Sequence, residues 1–404
     1  MLFETDRHET HCTRRWDPII ARETIQAIVL DVEQSRLPQG HWSIHKLDSD
    51  ISAPATGLQS MYAGSAGVLW AMWYLQSQGA AHLHLDPLEA IEHAARTYQN
   101  APDTEEVVPS YFLGEAGIEL VRWRLTGSSD AANQLYASIE KNIPNPTNEA
   151  LWAAPGTMIA AWHLWTKTGE ERWRTLFAAN IEQLWQTFMP VPETGFYLWT
   201  QDLYGHRVQL LGAGHGFVGN IYPLLLGAAL LDPQRQEALY ARCATTLRMT
   251  GMFENGEANW PQSIGTPRPG RTHKLMQWCH GAPGVITAIA GDYPTSRSSE
   301  MNEMLIAGGR AVWSAGPLSK GYGLCHGTAG NGFAFLKLYK RTGNPLWLER
   351  AQAFAMHAMA QRDLMRQEYK QGRYNLWTGD LGLAVYLWHC IAEIDGLPLL
   401  DIID

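Results

Sequence analysis

Seven copies of a Gly-x-x-Gly unit, each opening a run of mainly apolar residues, constrain this 404-residue chain more than any other feature. They begin at Gly64, Gly114, Ala153, Gly216, Gly281, Gly327 and Gly379, the third having alanine in place of its first glycine. Successive copies start 39 to 65 residues apart, which is room for two helices and their connections. The run after each unit, such as Val68-Leu69-Trp70-Ala71-Met72-Trp73-Tyr74-Leu75, is apolar on nearly every side and marks a helix enclosed by protein. Between units the pattern is one-sided. Trp173, Leu176, Phe177, Ile181, Leu184 and Trp185 stand against Glu170, Glu171, Arg174, Asn180 and Glu182, as on a helix that covers a core.

Alternating enclosed and amphipathic helices, about seven pairs, predict an all-α fold: an (α/α) toroid with an inner ring of helices inside an outer ring. An open solenoid would share the periodicity, but it needs polar capping repeats, and both terminal copies keep the apolar inner run. The repeats argue for one domain over residues 1–404, although length alone would suggest two or three. Residues 1–15, rich in His, Arg and Glu, are either an ordered lid or a frayed, flexible end. If every inner helix starts at its glycines, the seven motif loops gather at one end of the ring. The residues just before the glycines then face a common cavity.

A formal charge of −9 without a basic tract speaks against nucleic acid as a partner. The first residues lack the apolar core of a secretory signal, and no segment approaches 18 uninterrupted apolar residues, so a cytoplasmic protein without a membrane span is expected. Five cysteines is too sparse a count for a disulfide framework.

The positions ahead of the first glycine read Gly214-His215, Cys279-His280 and Cys325-His326 in the fourth to sixth copies, and Leu151-Trp152 in the third. The 46-residue gap between Cys279 and Cys325 excludes a local zinc finger. Two thiolates and one imidazole from neighbouring repeats suit a zinc site with an open fourth position, the arrangement a catalytic zinc requires. Spacing leaves open whether His280 or His326 is the third ligand, and a structural zinc stapling two repeats remains an alternative. Cys12, Cys243 and Cys390 are read as core filling.

In Trp278-Cys279-His280-Gly281-Ala282-Pro283-Gly284 and in Lys320-Gly321-Tyr322-Gly323-Leu324-Cys325-His326-Gly327-Thr328-Ala329-Gly330-Asn331, the chain resembles the lanthionine synthetase C-like family. It looks closer to the free-standing eukaryotic-type homologues than to typical cyclases, and the resemblance runs from Gly64 to Gly382. It implies that Cys279, Cys325 and His326 bind one zinc ion, with His280 beside the metal where typical cyclases carry tyrosine. It assigns acid/base roles to His215 and to Glu149, which replaces the cyclases' aspartate. Lys320 matches a lysine with which the free-standing homologues hold glutathione. Arg271, Lys274 and Arg373 also lie near the rim motifs as candidate carboxylate clamps, and Arg373 joins Lys320 as a glutathione-binding candidate.

Zinc deprotonates a thiol that is otherwise mostly protonated at neutral pH, and two protein thiolates on the metal leave an incoming sulfur nucleophilic. Addition of that sulfur to dehydroalanine or dehydrobutyrine requires a proton at the α-carbon, which His215 would supply, while Glu149 takes the thiol proton or orients an imidazole. The expected function is therefore zinc-dependent thioether formation on a dehydroamino-acid peptide or protein, with glutathione or a peptide cysteine as thiol. The competing expectation is a non-catalytic zinc scaffold that binds a peptide, glutathione or a small molecule. Under it His215 hydrogen-bonds a backbone carbonyl, Glu149 caps a helix and Lys320 is merely solvated. A glycosidase would need two opposed carboxylates, and only Glu149 stands out near this rim.

Overall fold

The computed structural model describes residues 1–48, 54–265 and 274–404. The described residues form fourteen α-helices: α1 (Pro18–Gln34), α2 (Ser65–Ser77), α3 (Pro87–Asn100), α4 (Glu115–Thr126), α5 (Ser129–Asn142), α6 (Ala154–Thr168), α7 (Glu171–Thr187), α8 (Phe217–Leu226), α9 (Pro233–Thr250), α10 (Ala282–Ile289), α11 (Ser299–Ala315), α12 (Thr328–Thr342), α13 (Pro345–Tyr369) and α14 (Asp380–Ala392). Even-numbered helices follow the glycine units and form the inner ring. Each packs on the next, and α14 packs on α2, so the ring is closed. Odd-numbered helices cover it, with α1 lying on α14 and completing the outer ring. The fold is an (α/α) toroid.

The two rings start their helices by different chemistry. Six of the seven outer helices use side-chain caps, α7 being the exception: Asp17, Asp86, Ser128, Asp232, Ser298 and Asn344 each accept a first-turn amide, and a proline follows in four of them. No inner helix has a side-chain bond from its cap residue. Their orphan amides instead reach the carbonyl seven residues back in the preceding loop: Ser65 to Leu58, Glu115 to Val108, Phe217 to Leu210, Thr328 to Gly321 and Asp380 to Arg373, at 2.8–3.0 Å. The loop is strapped down on the helix it feeds. This explains the second glycine of the unit, because a Cβ on Gly67, Gly117, Gly156, Gly219, Gly284, Gly330 or Gly382 would collide with the carbonyl oxygen six residues earlier.

Adjacent rim loops are also laced together. The amide of Tyr62 bonds the Phe112 carbonyl, Gly214 bonds Cys279, Cys279 bonds Cys325, Cys325 bonds Trp377, and Trp377 bonds Tyr62, at 2.8–3.3 Å. These residues hold one position in the repeat, so the lacing carries equivalent residues of neighbouring copies side by side.

Asn180 departs from the sequence expectation. It is fully buried, on the stripe with Leu176 and Leu184, and its amide is taken by the Leu176 carbonyl at 2.8 Å. Its four-residue spacing from both leucines placed it there, and its polarity misdirected the expectation. Three short hairpins were also not anticipated: β1 (Met189–Pro190) with β2 (Tyr197–Leu198), β3 (Gln201–Leu203) with β4 (His206–Val208), and β5 (Met252–Glu254) with β6 (Glu257–Asn259). They occupy connections between rings. The N-terminal run lies against the rim: Glu9 and Arg7 bond Pro317 and Ser319 through their backbones, and Leu2 is buried. At the other terminus Leu397, Leu399, Leu400 and Ile403 are buried, and Trp70 and Tyr111 of the inner wall bond the Ile403 and Leu399 carbonyls. No helix among the described residues is long and apolar enough to cross a membrane.

The strap makes a prediction. Gly330→Ala, whose methyl meets the Leu324 carbonyl, should destabilise the protein by about 2–3 kcal/mol in urea unfolding. Gly343→Ala, in open space at a left-handed helix end, should cost only about 1 kcal/mol.

Candidate metal centre and acid-base pair

The backbone bond from Cys279 to Cys325 brings two thiols that are distant in sequence to one point on the rim. Both side chains are buried, and one donor atom from each of Cys279, Cys325 and His326 lies within 4.8 Å of the others. A tetrahedral zinc with thiolate bonds near 2.3 Å separates its sulfurs by about 3.8 Å, so small side-chain movements would let this set hold one ion. The thiols' protonation fits a cation as well. The hydrogen bond from Cys325, together with the nearby His280 and His326 and against the effect of burial, holds Cys279 well below the usual thiol range. Cys325 is driven well above it by the same bond, by burial and by the Cys279 charge. The opposed shifts show that the two sulfurs share a hydrogen bond at a place where a divalent cation could replace the shared proton.

The loop that presents Cys279 is built differently from its neighbours. Gln277 and His280 exchange two backbone bonds at 3.0 Å, which puts Trp278-Cys279 at the tip of a tight turn. Where five other loops bond directly to their helix, Asn259 is inserted: its Oδ1 accepts from Ala282 and its Nδ2 donates to Leu275, the residue seven back. Gly281 takes φ +111°, open only to glycine, and a Cβ there would meet the Leu275 carbonyl. Gln277 donates from Nε2 to Cys279 Sγ at 3.0 Å, and the Tyr62 hydroxyl hydrogen-bonds Cys325. These contacts orient both sulfurs.

His215 and Glu149 form a second cluster. Glu149 is fully buried, and its Oε2 lies 2.8 Å from His215 Nδ1, so His215 does not spend that nitrogen on a backbone carbonyl. The Glu149 carboxylate also accepts the amides of Leu151 and Trp152 at 3.1 and 2.7 Å. It therefore anchors its own loop and orients the imidazole at once. Burial pulls the His215 pKa down, but the bond to Glu149, that carboxylate's charge and the nearby Cys279 outweigh it, and the net shift is upward. The ring stays 22% exposed.

His280 lies beside this pair, its ring centroid 6.0 Å from that of His215. Burial lowers its pKa, so the imidazole is neutral; its Nδ1 is buried without a hydrogen-bond partner, and Gln262 stands 3.4 Å from its Nε2. Lys320 is exposed on the loop before Cys325, close enough for its charge to act on both Cys325 and His280.

Arg373 has a different occupation from the open clamp expected of it. Its Nε donates to Asp48 Oδ2 at 2.7 Å and its Nη2 to Asp48 Oδ1, and Asn375 and Thr378 hydrogen-bond the same carboxylate. The group is buried and its charge is balanced, by a partner too remote in the chain for sequence spacing to reveal. Arg271 lies outside the described residues, and Lys274 is exposed within electrostatic reach of Glu254. Gln277, Tyr62, Gln262 and Asn259 were not singled out from sequence. Gln277 carried one signal, its place two residues before a candidate ligand.

The fold and this cluster place the chain in a family. It belongs to the family described as Lanthionine synthetase C-like protein, whose profile it matches over residues 57–395. It is 34% identical over 159 residues to "Glutathione S-transferase LANCL1" of Danio rerio, covering 39% of this chain and 36% of that protein. It is 36% identical over 197 residues to "LanC-like protein GCL1" of Arabidopsis thaliana, covering 47% of this chain and 42% of that protein. The matched stretch thus spans about two fifths of each relative. Among solved structures it superposes on "Nisin cyclase" with a TM-score of 0.60 over 94% of this chain and 96% of that one, at 13% identity, a likeness of fold.

Glu149→Gln removes the charge that does most to raise the His215 pKa and leaves burial opposed chiefly by the nearby Cys279. An NMR titration of the His215 ring should show its pKa falling relative to the wild type, whereas an unchanged value would mean that Glu149 does not set it.

Proposed function

We propose that the protein adds a thiol, glutathione or a peptide cysteine, to dehydroalanine or dehydrobutyrine residues in a zinc-dependent reaction that forms a thioether. The observation that carries this reading is the His215–Glu149 pair on the same rim as the Cys279, Cys325 and His326 cluster. Held by those three residues, zinc would supply thiol deprotonation at neutral pH and an open coordination position for sulfur.

The protein's own side chains do the remaining work. As sulfur bonds the β-carbon, negative charge builds on the acceptor's carbonyl side, and protonated His215 delivers a proton to the α-carbon. Glu149 keeps His215 protonated toward higher pH and fixes its ring, so the other nitrogen faces the reaction. One proton leaves the thiol and one reaches carbon, so no oxidant or reductant is needed. His280, neutral and with a buried free nitrogen, offers a hydrogen bond beside the reacting atoms. Lys320 supplies positive charge where a carboxylate-bearing thiol such as glutathione would approach, which accords with the printed name of the zebrafish relative.

Mass spectrometry of zinc-quantified protein with a dehydroalanine peptide, with and without glutathione, tests the reading. A glutathione adduct that vanishes on chelation supports it, and ring closure without added mass, from a cysteine in the same peptide, identifies a cyclase. His215→Ala should keep zinc and lose about 10²–10⁴ in rate. Bound zinc without product from either substrate overturns the reading. A general acid is lost as pH rises through its pKa. The fall of activity on the alkaline side should therefore move to lower pH in Glu149→Gln.

A further inference from the structure

The rim has two unlike halves. The repeat position held by His215, His280 and His326 in the fourth to sixth copies is held by Ala63, Leu113 and Trp152 in the first to third, each partly exposed. One arc is polar and the other apolar, on a ring whose order is fixed by the packing of successive inner helices.

The apolar arc carries a second aromatic at an unusual backbone cost. Tyr204 stands at the tip of the β3–β4 hairpin with φ +52°, a conformation that turns of this kind reserve for Asn, Asp or Gly. Its side chain is among the most exposed large apolar groups, at 70%. Core burial therefore does not offset the strain. Its hydroxyl instead accepts from Trp152 Nε1 at 3.2 Å.

Both aromatics are tied to the catalytic pair. Trp152's amide is held by Glu149, and its carbonyl accepts from Asn142 and Asn145 at 3.0 and 3.1 Å. The hairpin is fastened to the same loop, through Asp202 to the Pro146 carbonyl and Asn148 to the Thr200 carbonyl. The loop that aims His215 thus also fixes the aromatic wall beside it.

Building on the thiol-addition reading above, we propose that Trp152 and Tyr204, continued by Leu113 and Ala63, form the acceptor subsite, which takes an extended, uncharged apolar peptide segment carrying the unsaturated residue. The thiol donor then enters over the opposite arc, beside Lys320. The division follows from the reaction: the acceptor's α-carbon must lie at His215, and the sulfur at the two cysteines. Flat aromatic faces suit a conjugated, planar residue and its apolar neighbours, and give a charged tripeptide little to bind.

The test measures acceptor binding apart from turnover. Fluorescence anisotropy of a labelled dehydroalanine peptide with flanking leucines, without thiol, should show affinity about tenfold weaker in Tyr204→Ala and in Trp152→Ala. The glutathione KM should change by less than about twofold. Tyr204→Asn supplies a readout that a structural role would not give: by relieving the strained φ it should raise the melting temperature while still weakening peptide binding. Unchanged peptide affinity in the Tyr204 variants, or a glutathione KM that rises in place of it, overturns the proposal. If the wild-type protein forms no thioether but these variants still lose peptide affinity, the thiol-addition reading falls and the subsite stands.

Discussion

The structure depends on one hydrogen bond used repeatedly, from a rim-loop amide to the carbonyl of the equivalent residue in the next repeat. Tyr62, Gly214, Cys279, Cys325 and Trp377 all donate in this way. Each bond is worth about 1 kcal/mol net, and the set is worth more than its sum because it holds neighbouring loops in register. Side chains that share a repeat position are thereby carried to the same height on the same rim, and a site is assembled from residues that never meet in sequence.

The lacing is informative where it changes. The Leu151 amide is taken by the Glu149 carboxylate, and the Leu151 carbonyl receives the Ser110 hydroxyl. The buried carboxylate at this place is the one that holds His215. In the fifth copy Asn259 enters the strap between loop and helix, and that loop carries Cys279 and His280. The candidate functional side chains sit where side chains have replaced the backbone's repeating pattern, as expected when local rules yield to a site.

Much of this was legible in the chain. The glycine units are local and recur, so they announced the inner helices, the rim and the ring. Cys279 and Cys325 were legible because two copies share Cys-His at one repeat position, whereas the preference for His326 over its repeat equivalent His280 came only from family resemblance. The role of Glu149 came only from family resemblance, since its partner His215 lies 66 residues away and no spacing rule connects them. Asp48, which occupies Arg373, was hidden for the same reason. Asn255-Gly256 is a recognisable hairpin turn, whereas Tyr204-Gly205 violates the residue preference by which such turns are read. Gln277 and Asn259 are ordinary polar residues until the fold shows what they touch.

The C-terminal segment gives the ring a character of its own. Tyr222 bonds Asp401, Lys337 pairs with Asp401, and Arg124 and Lys167 both grip Asp404, so residues from α4, α6, α8 and α12 draw the tail into the lumen. The toroid is consequently a cup and not a pore. On the proposed function, a polypeptide engaged at the rim would find no exit through the far side and would dip in and back out for each residue it presents. A chain with several reactive positions would be handled in separate visits, unlike a strand threaded through a clamp.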